Sequence, residues 1–540
     1  MDNFVPIHDS RFESSNEPIP TLKPESIYQR FFPLFKIGEK RRSRKPDFPD
    51  KVSTSYEKPK LSRASKQKQL DWQPVKGSQY KFSVYSAYSY NKTEVVIIAT
   101  TKSQTKEKVA CVFHFDNGQK IQTTIGKVET MGEHWGMMYA GTFIRCPLPI
   151  SSDFTMPHSV SVTVINSNSS KVNGHVDQEA TMLGNPLIIQ YKSEEDLSNP
   201  PFNFSVCVLP TFNYNEVFHF LEWLEFYKLL GVRHFTLYNI TIGPDTSCVL
   251  KELMSSAADS GIVVDVHPWH DFPIKKNSEI RSGPCGECGL SAATNECIYR
   301  HKGLSKYMIF VDFDEFIMPR SAQDYGEMIR SMDVMNKSVE IGEYSIRTGF
   351  FGRFRNNDEL RVDMCEELKR KNSVFTYHVC KHLLMVKKSL REETILMHND
   401  RSKYIVKPEA VLEGGNHHVI QLDSGYETLV APPEVAIVRH YRFVEGFWHI
   451  PKNTSAVPDR ISKSFGVELA KKAELNVLKT IPFDLIKFNV LIIEVYFYSE
   501  AEKTELDTLL TSNGYQFVKN IEVDKIYIHK SVSYMLDKTV

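Results

Sequence analysis

Tyr307-Met308-Ile309-Phe310-Val311-Asp312-Phe313-Asp314 is the stretch on which the reading of this chain turns. Five consecutive apolar residues running into carboxylates predict a buried parallel strand whose C-terminal edge emerges at a polar site. Open α/β sheets bind their ligands at that edge. Two carboxylates on either side of one spacer can reach a single divalent cation, as hard oxygen donors suited to Mn²⁺ or Mg²⁺. Such a cation holds a diphosphate and neutralises its charge as it departs. An Asp pair in a loop equally serves to cap a helix or stays solvated. The strand end therefore gives the pair its meaning, not the tripeptide.

Upstream, strand and helix patterns alternate. Phe204–Leu209 is an apolar run; Asn213-x-x-Glu216 has the form of a capping box, and Val217, Phe220, Leu221, Leu224 and Tyr227 follow at helical spacing. Gly231 closes that helix, and His234–Tyr238 is the next strand. Asp245 opens a helix through Ala258, Gly261–His267 is a third strand, and a helix over about 287–301, closed by Gly303, leads into the acidic strand. This order predicts βαβαβ with a parallel sheet and right-handed connections.

The rest of the chain reads differently. Residues 1–72 are rich in Pro, Ser, Lys and Arg, include the basic run Lys40–Lys45, and are read as a disordered N-terminal segment. Residues 73–198 carry short β-branched and aromatic runs (Tyr80–Tyr88, Glu94–Thr100, Val109–Phe115, Val160–Ile165) separated by turn residues, which predicts a β-sandwich-like accessory domain. Cys111 and Cys146 each lie on or beside such a run and can bridge two strands in an oxidising compartment. The α/β domain takes 199–460, and 461–540 remain as a small α/β appendage.

Composition narrows the function classes. Lys+Arg and Asp+Glu both number 66, so the chain lacks the basic footprint of a nucleic-acid binder. Nine cysteines are too few for a disulfide scaffold, and Cys285-Gly-Glu-Cys288 has no second pair to complete a zinc site. Asn-x-Ser/Thr sequons at Asn91, Asn168, Asn203, Asn239, Asn336 and Asn453 lean toward a secretory protein. No stretch reaches the roughly 18 apolar residues of a membrane span, and Met1-Asp2-Asn3-Phe4 lacks the blocks of a signal peptide.

A set of short pieces then converges. Cys207-Val-Leu-Pro210, Asn215-Glu216, Glu222-Trp223, Leu230-Gly231-Val232, Phe235-Thr-Leu-Tyr238-Asn239, Asn295-Glu-Cys297 with Arg300, Val311–Phe316 with Pro319, and His440-Tyr441-Arg442 occur in order across about 200–445. In these pieces the chain resembles glycosyltransferase family 92. The resemblance implies an α/β chain with the GT-A nucleotide-diphospho-sugar fold, preceded by a β-rich accessory domain. It implies transfer of galactose from UDP-galactose onto a glycan or glycoprotein acceptor, with inversion, Mn²⁺ or Mg²⁺ as cofactor, and work in the Golgi lumen. Family members are anchored there by one N-terminal span. This chain shows neither span nor signal, so the expectation is a missing or replaced start. The tail pieces Phe483–Val490, Ile493-Glu494, Leu509–Tyr515 and Asp524–Ile528 resemble the end of an FkbM-type methyltransferase whose cofactor-binding front is absent. The alternatives are a glycan-binding protein without catalysis and, remotely, a methyltransferase.

Site residues follow from the same comparison. Thr211, Glu216 and Asn239 end the first two strands, where a uridine would lie; capping and turn roles are the plain alternatives. Asn295 and Arg300, on the helix before the acidic strand, are candidates for the diphosphate, Arg300 having a surface salt bridge as its alternative. Asp312 is expected nearer the ribose and Asp314 on the metal, with Glu315 a supporting carboxylate. His440, at the end of the apolar run Val435–Val438, is the expected third metal ligand, with His417 and His418 as alternatives. An inverting transferase needs a carboxylate general base; Asp363, Glu366 and Glu367 are candidates among which the sequence does not choose. Arg347–Gly352 suits either a sugar-stacking loop or a buried strand.

Overall fold

Each apolar run upstream of Asp312 becomes a strand of one sheet. The computed structural model describes residues 71–90, 93–115, 121–149, 156–165, 186–255, 261–270, 273, 288–336, 339–351, 383–388, 390–441, 456–459, 490–494, 500–521 and 524–529. Asp363, Glu366, Glu367, Cys285 and the segment up to residue 70 lie outside them.

The N-terminal region is a closed β-structure. It contains β1 (Gln73–Pro74), β2 (Ser83–Ser89), β3 (Glu94–Lys102), β4 (Val109–His114), β5 (Ile121–Thr130), β6 (Tyr139–Pro147), β7 (Ser159–Val164) and β8 (Leu187–Gln190). Their order is β1-β2-β3-β6-β5-β4-β7-β8, and β8 also pairs with β2. Inward residues such as Val95, Ile97, Val109, Phe113, Ile144 and Val160 fill the space between the faces. Cys111 and Cys146 form a disulfide, with Cα atoms 5.9 Å apart. They do not sit on neighbouring strands: β5 lies between β4 and β6 in the ladder. The bridge passes over Gly126 of β5, where a Cβ would stand 2.6 Å from the Cys111 Sγ. Only glycine leaves that room.

A short α1 (Glu194–Ser198) leads to the central sheet. It is built from β9 (Phe202–Thr211), α2 (Val217–Leu229), β10 (His234–Asn239), α3 (Pro244–Ser255), β11 (Val263–Pro268), α4 (Cys288–His301) and β12 (Ser305–Phe310). The four strands run parallel in the order β11-β10-β9-β12. The winding reverses between β9 and β12, and at such a switch point the crevice beyond the strand ends receives a ligand. Strands covered on both faces are apolar throughout, which is why Val206–Leu209 and Met308–Val311 are buried without interruption. Helix α2 buries Phe220, Leu221, Trp223, Leu224, Phe226 and Tyr227 and stops at Gly231, whose φ of +102° suits glycine.

The predicted capping box is corrected. Glu216 is the N-cap of α2, but no side chain caps that helix. Asn215 turns instead to α3, accepting from the Asp245 and Thr246 N–H groups at 3.0 and 3.1 Å.

Beyond the acidic turn come β13 (Glu315–Pro319), α5 (Tyr325–Met335), β14 (Glu340–Ile346), β15 (Thr348–Phe351), α6 (Leu384–Lys387), β16 (Leu390–Ile395), β17 (Lys403–Val406), β18 (Val411–Gly414), β19 (Val419–Leu422), β20 (Tyr426–Val430), β21 (Ala436–His440) and β22 (Ala456–Pro458). Strand β17 lies against β12, antiparallel, and extends the central sheet through β14 to β20. A second sheet runs β13-β21-β15-β16-β22. The chain thus leaves one sheet at Phe310 and joins another at Glu315, and the Asp pair occupies the crossing. In the tail, β23 (Val490–Glu494), α7 (Glu500–Ser512), β24 (Tyr515–Ile521) and β25 (Asp524–His529) form a helix and a three-stranded sheet in the order β23-β25-β24.

Helix α4 is packed on two sides. Its Ala292, Ala293, Cys297, Ile298 and Tyr299 share one core with Tyr85, Tyr88, Val96 and Phe143 of the β-region and with Cys207, Tyr238, Met308 and Phe310 of the sheet. Cys207 of β9 and Cys297 of α4 are joined in a second disulfide, Cα atoms 6.6 Å apart. Nothing in the spacing of these two cysteines pairs them.

Candidate active site

A cavity of about 310 Å³ opens at the switch point between β9 and β12. Its lining comes from the end of β9 and the residue after it (Val208–Phe212), from Tyr214, Glu216 and His219 around the start of α2, and from Asp312, Phe313 and Asp314. Thr211, Glu216, Asp312 and Asp314, four of the residues picked from sequence, therefore meet in one space. Tyr214 stacks on Phe313 with centroids 4.4 Å apart, and Phe212 stands 55% exposed at the rim. His219, which the sequence did not single out, is 3.7 Å from the Glu216 carboxylate. Asn239 lies beside Thr211 in register at the end of β10, and its buried Oδ1 finds no hydrogen-bond partner among the described residues.

The carboxylates are arranged by a tight turn. Glu315 N–H donates to the Asp312 carbonyl at 3.1 Å, and Asp312 N–H donates to Glu315 Oε2 at 2.9 Å. Glu315 pairs with His440 across β13 and β21, which sets the imidazole beside the turn. His440 Nε2 is 3.6 Å from Asp314 Oδ2, and its Nδ1 is 3.4 Å from Glu315 Oε1. The Tyr441 N–H donates to the Asp314 carbonyl at 2.8 Å, which fixes the turn against β21. Burial works against charge on His440, but the Glu315 and Asp314 carboxylates outweigh it and raise its pKa above the usual value.

A further residue completes the cluster. Lys403, fully buried at the start of β17, places Nζ 3.2 Å from Asp312 Oδ2, 3.0 Å from Glu315 Oε2 and 3.5 Å from Asn416 Oδ1. Burial alone would lower its pKa; Asp312 and Glu315 pull it well above the ordinary lysine range, so the ammonium is permanent at physiological pH. The Asp312 side chain is 45% exposed to the cavity. Protein crowding its carboxylate still pushes its pKa up; Lys403 opposes that push, while Glu315 and Asp314 add to it. No local signal marks Lys403, because the antiparallel pairing of β12 with β17 joins residues some ninety positions apart.

The remaining expectations are redistributed. His417 does not face the Asp pair as His440 does: its Nδ1 lies 3.3 Å from the Ser402 carbonyl and its Nε2 3.2 Å from Asn416. Burial, helped by Lys403, lowers its pKa to about 4. His418 carries no contact to the carboxylates, and its pKa is lowered by burial.

Asn295 and Arg300 are placed away from the cavity. Asn295 exchanges hydrogen bonds with the Gly414 backbone, donating at 3.0 Å and accepting at 2.8 Å. Arg300 is paired with the buried Glu296, to which Tyr88 and Tyr238 also donate. Burial would raise the Glu296 carboxyl, but Arg300 dominates and holds it below the usual carboxylate range. Arg300 is thus held within α4 by Glu296, the carboxylate through which Tyr88 ties the β-region to this helix, and it does not line the cavity. Phe350 and Phe351 lie in β15, the strand alternative for that segment.

Among the described residues no three His, Cys, Asp or Glu side chains converge on one point. The protein offers two close donors, Asp314 and His440. Nor is any described helix long and apolar enough to cross a membrane.

Comparison with known proteins bears on the family. A Caenorhabditis elegans protein, Glycosyltransferase family 92 protein F13G3.3, is 23% identical over 282 residues, 49% of this chain and 49% of that protein. The Caenorhabditis elegans Beta-1,4-galactosyltransferase galt-1 is 23% identical over 332 residues, 60% of this chain and 65% of that protein. The chain thus spans about half to two thirds of these relatives. Among solved structures, one titled "Crystal Structure of a Mycobacterial Protein" covers 56% of this chain and 82% of its own at 12% identity, with a TM-score of 0.21, too low to carry an argument. The profile of glycosyltransferase family 92 matches residues 202–477, from the first strand of the central sheet to beyond the boundary expected at 460. The chain belongs to glycosyltransferase family 92.

Proposed function

We propose that the chain is a metal-dependent, inverting hexosyltransferase of GT-A type that moves galactose from UDP-galactose onto a glycan acceptor. The observation that carries this reading is the cavity at the β9–β12 switch point, with Asp312 and Asp314 on one wall and His440 behind Asp314. The name of the galt-1 relative supports galactose as the sugar.

The donor set fits Mn²⁺ or Mg²⁺. Adjacent ligands of such an ion at roughly 2.0–2.2 Å lie about 3 Å apart, close to the 3.6 Å between Asp314 Oδ2 and His440 Nε2. Two protein donors suit a cation that draws its other ligands from phosphates and water. Glu315 Oε1, 3.4 Å from His440 Nδ1, stands where a carboxylate can take the hydrogen bond that orients a metal-bound histidine. When bound, the cation neutralises charge on the leaving diphosphate.

Phe212 and Tyr214 offer aromatic faces for a uracil ring, while Thr211 and the orphaned Asn239 Oδ1 offer polar contacts at the strand ends. Asp312, steadied by Lys403, is free on its cavity side to accept from a ribose hydroxyl. The acceptor oxygen bonds to the anomeric carbon as the bond to the β-phosphate oxygen breaks. Its proton passes to one of Asp363, Glu366 and Glu367, and UDP leaves. Two disulfides fit a lumenal, oxidising compartment such as the Golgi.

The test is UDP release from a panel of UDP-hexoses with glycan acceptors, in Mn²⁺ or in EDTA. Turnover with UDP-galactose that EDTA abolishes is expected. Release indifferent to EDTA, or absent with every donor, would overturn the reading.

A further inference from the structure

The β-region sends one hairpin toward the active site. Between β5 and β6, residues 131–138 turn back on themselves through backbone bonds from His134 to Gly132 and from Met137 to His134. The hairpin is fastened to β18 and to the loop that follows it. Gly132 N–H donates to Glu413 at 2.5 Å, and Asn416 N–H donates to Glu133 Oε2 at 2.6 Å. Asn416 in turn lies 3.5 Å from the Lys403 ammonium that holds Asp312. Glu133, Asn416 and Lys403 thus form one chain of contacts from this hairpin to the Asp pair.

At the tip stands Trp135. It is 51% exposed, and Met138 beside it is 70% exposed. Trp72, Trp223 and Trp269 are wholly or partly buried. The backbone of Trp135 has φ +43°, a left-handed conformation that bulky residues rarely adopt. A folding role does not account for a large aromatic held out in solvent on strained backbone; strain of this kind is retained where a binding task needs it.

The side of the sheet is also telling. The nucleotide cavity flanks β12 on its β9 side, whereas β17, whose Lys403 lies 3.5 Å from the Asn416 to which the hairpin is bonded, is on the other. An in-line displacement needs the incoming hydroxyl to approach from the side opposite the leaving diphosphate.

We infer that this hairpin forms an acceptor subsite, in which Trp135 stacks on the apolar face of a sugar ring of the acceptor glycan. The inference rests on the transferase reading for its place in the reaction, but not for the binding itself. Tryptophan suits this task because it presents a wide, rigid, amphipathic surface at low conformational cost.

The experiment uses the full chain secreted behind a heterologous signal. Wild type, Trp135→Ala, Trp135→Phe and Trp135→Gly are titrated with a library of neutral glycans, following tryptophan fluorescence and, separately, glycan-array binding. Acceptor KM and acceptor-free hydrolysis of the UDP-sugar are measured in parallel. Trp135→Ala should weaken glycan binding and raise acceptor KM about tenfold, leaving donor KM and acceptor-free hydrolysis within twofold. Trp135→Phe should recover part of the affinity. Trp135→Gly should melt no lower than wild type, since glycine relieves the left-handed strain, yet lose the same affinity as alanine. Unchanged glycan binding in Trp135→Ala, or no glycan bound by wild type, would overturn the subsite. A wild type inactive with every donor whose glycan binding still depends on Trp135 would sink the transferase reading and leave the subsite standing.

Discussion

Replacing Lys403 by methionine removes one charge from the centre of the site at nearly constant volume. The ammonium is 0% exposed and lies 3.0 Å from Glu315, itself 1% exposed, and 3.2 Å from the partly exposed Asp312. Breaking a buried pair by deleting one partner costs about 3–5 kcal/mol, because the other charge stays uncompensated. The half-exposed Asp312 arm adds about 0–1 kcal/mol more. Lys403→Met should therefore lose about 3–6 kcal/mol in urea denaturation with EDTA present. The raised lysine pKa makes this contribution constant across neutral pH, since it is lost only as pH climbs through the folded-state pKa.

The sign of the metal effect separates this role from packing alone. Asp312, Asp314, Glu315 and Lys403 together carry two negative charges with His440 neutral, and Lys403→Met raises that to three. Mn²⁺ should then bind the variant at least as tightly as wild type and recover part of the lost stability, while transfer falls, because the more negative site repels the donor diphosphate. The double variant Lys403→Met/Glu315→Gln should regain most of the metal-free stability, since both buried charges are gone. A loss below 1 kcal/mol, or the same loss with Mn²⁺ and with EDTA, would refute the reasoning.

Four other outcomes follow from the geometry. Asp314→Ala should abolish turnover with the fold intact, and His440→Ala should weaken Mn²⁺ binding, whereas His417→Ala should not; calorimetric titration of Mn²⁺ reads both. Because nearby carboxylates raise the His440 pKa, a metal that needs the neutral ring must displace its proton. Mn²⁺ affinity should therefore rise with pH through neutrality and level off above that raised pKa, and His440→Gln should flatten the profile. Arg300→Met should cost about 3–5 kcal/mol by stranding Glu296, with donor KM unchanged in the folded fraction; a raised donor KM would return Arg300 to the diphosphate. Gly126→Val should press on Cys111 and Val109, costing about 1–3 kcal/mol and increasing titratable thiol; unaltered stability would mean that β5 gives way.

The strand ends were legible because an apolar run that stops at a polar residue is a local signal. Thr211, Glu216, Asp312 and Asp314 each follow such a run, and the cavity gathers all four. Helix α4 shows where that signal fails. It is covered by the β-region on one side and the central sheet on the other, so Ser291, Thr294, Asn295, Glu296 and Arg300 are all buried. A helix buried all round has no polar stripe to show which face meets a ligand, and Arg300 read as a site residue when it belongs to an internal ion pair.

Spacing along the sequence does not express pairing at a distance: Lys403 and Glu133 carry no local signal, and His440 is expected beside the Asp pair only through the family resemblance and its place at the end of an apolar run. His440 reaches Asp314 because β13 and β21 align Glu315 with His440, a register set by partners more than a hundred residues apart. Lys403 reaches Asp312 through the pairing of β12 with β17, and Glu133 reaches Asn416 from a separate region of the chain. These three contacts share a logic. The Asp pair concentrates negative charge in a crevice, and each distant segment supplies what that concentration requires. Lys403 supplies a fixed counter-charge, His440 a second donor beside Asp314, and Glu133 a brace for the loop that touches Lys403. A lone Asp-x-Asp lacks all of these, which is why its meaning depends on the fold around it. The position of the β-region follows from the same dependence: through Glu133 it braces the loop whose Asn416 lies 3.5 Å from Lys403, so removing residues 73–198 should impair transfer as well as expose the buried face of α4.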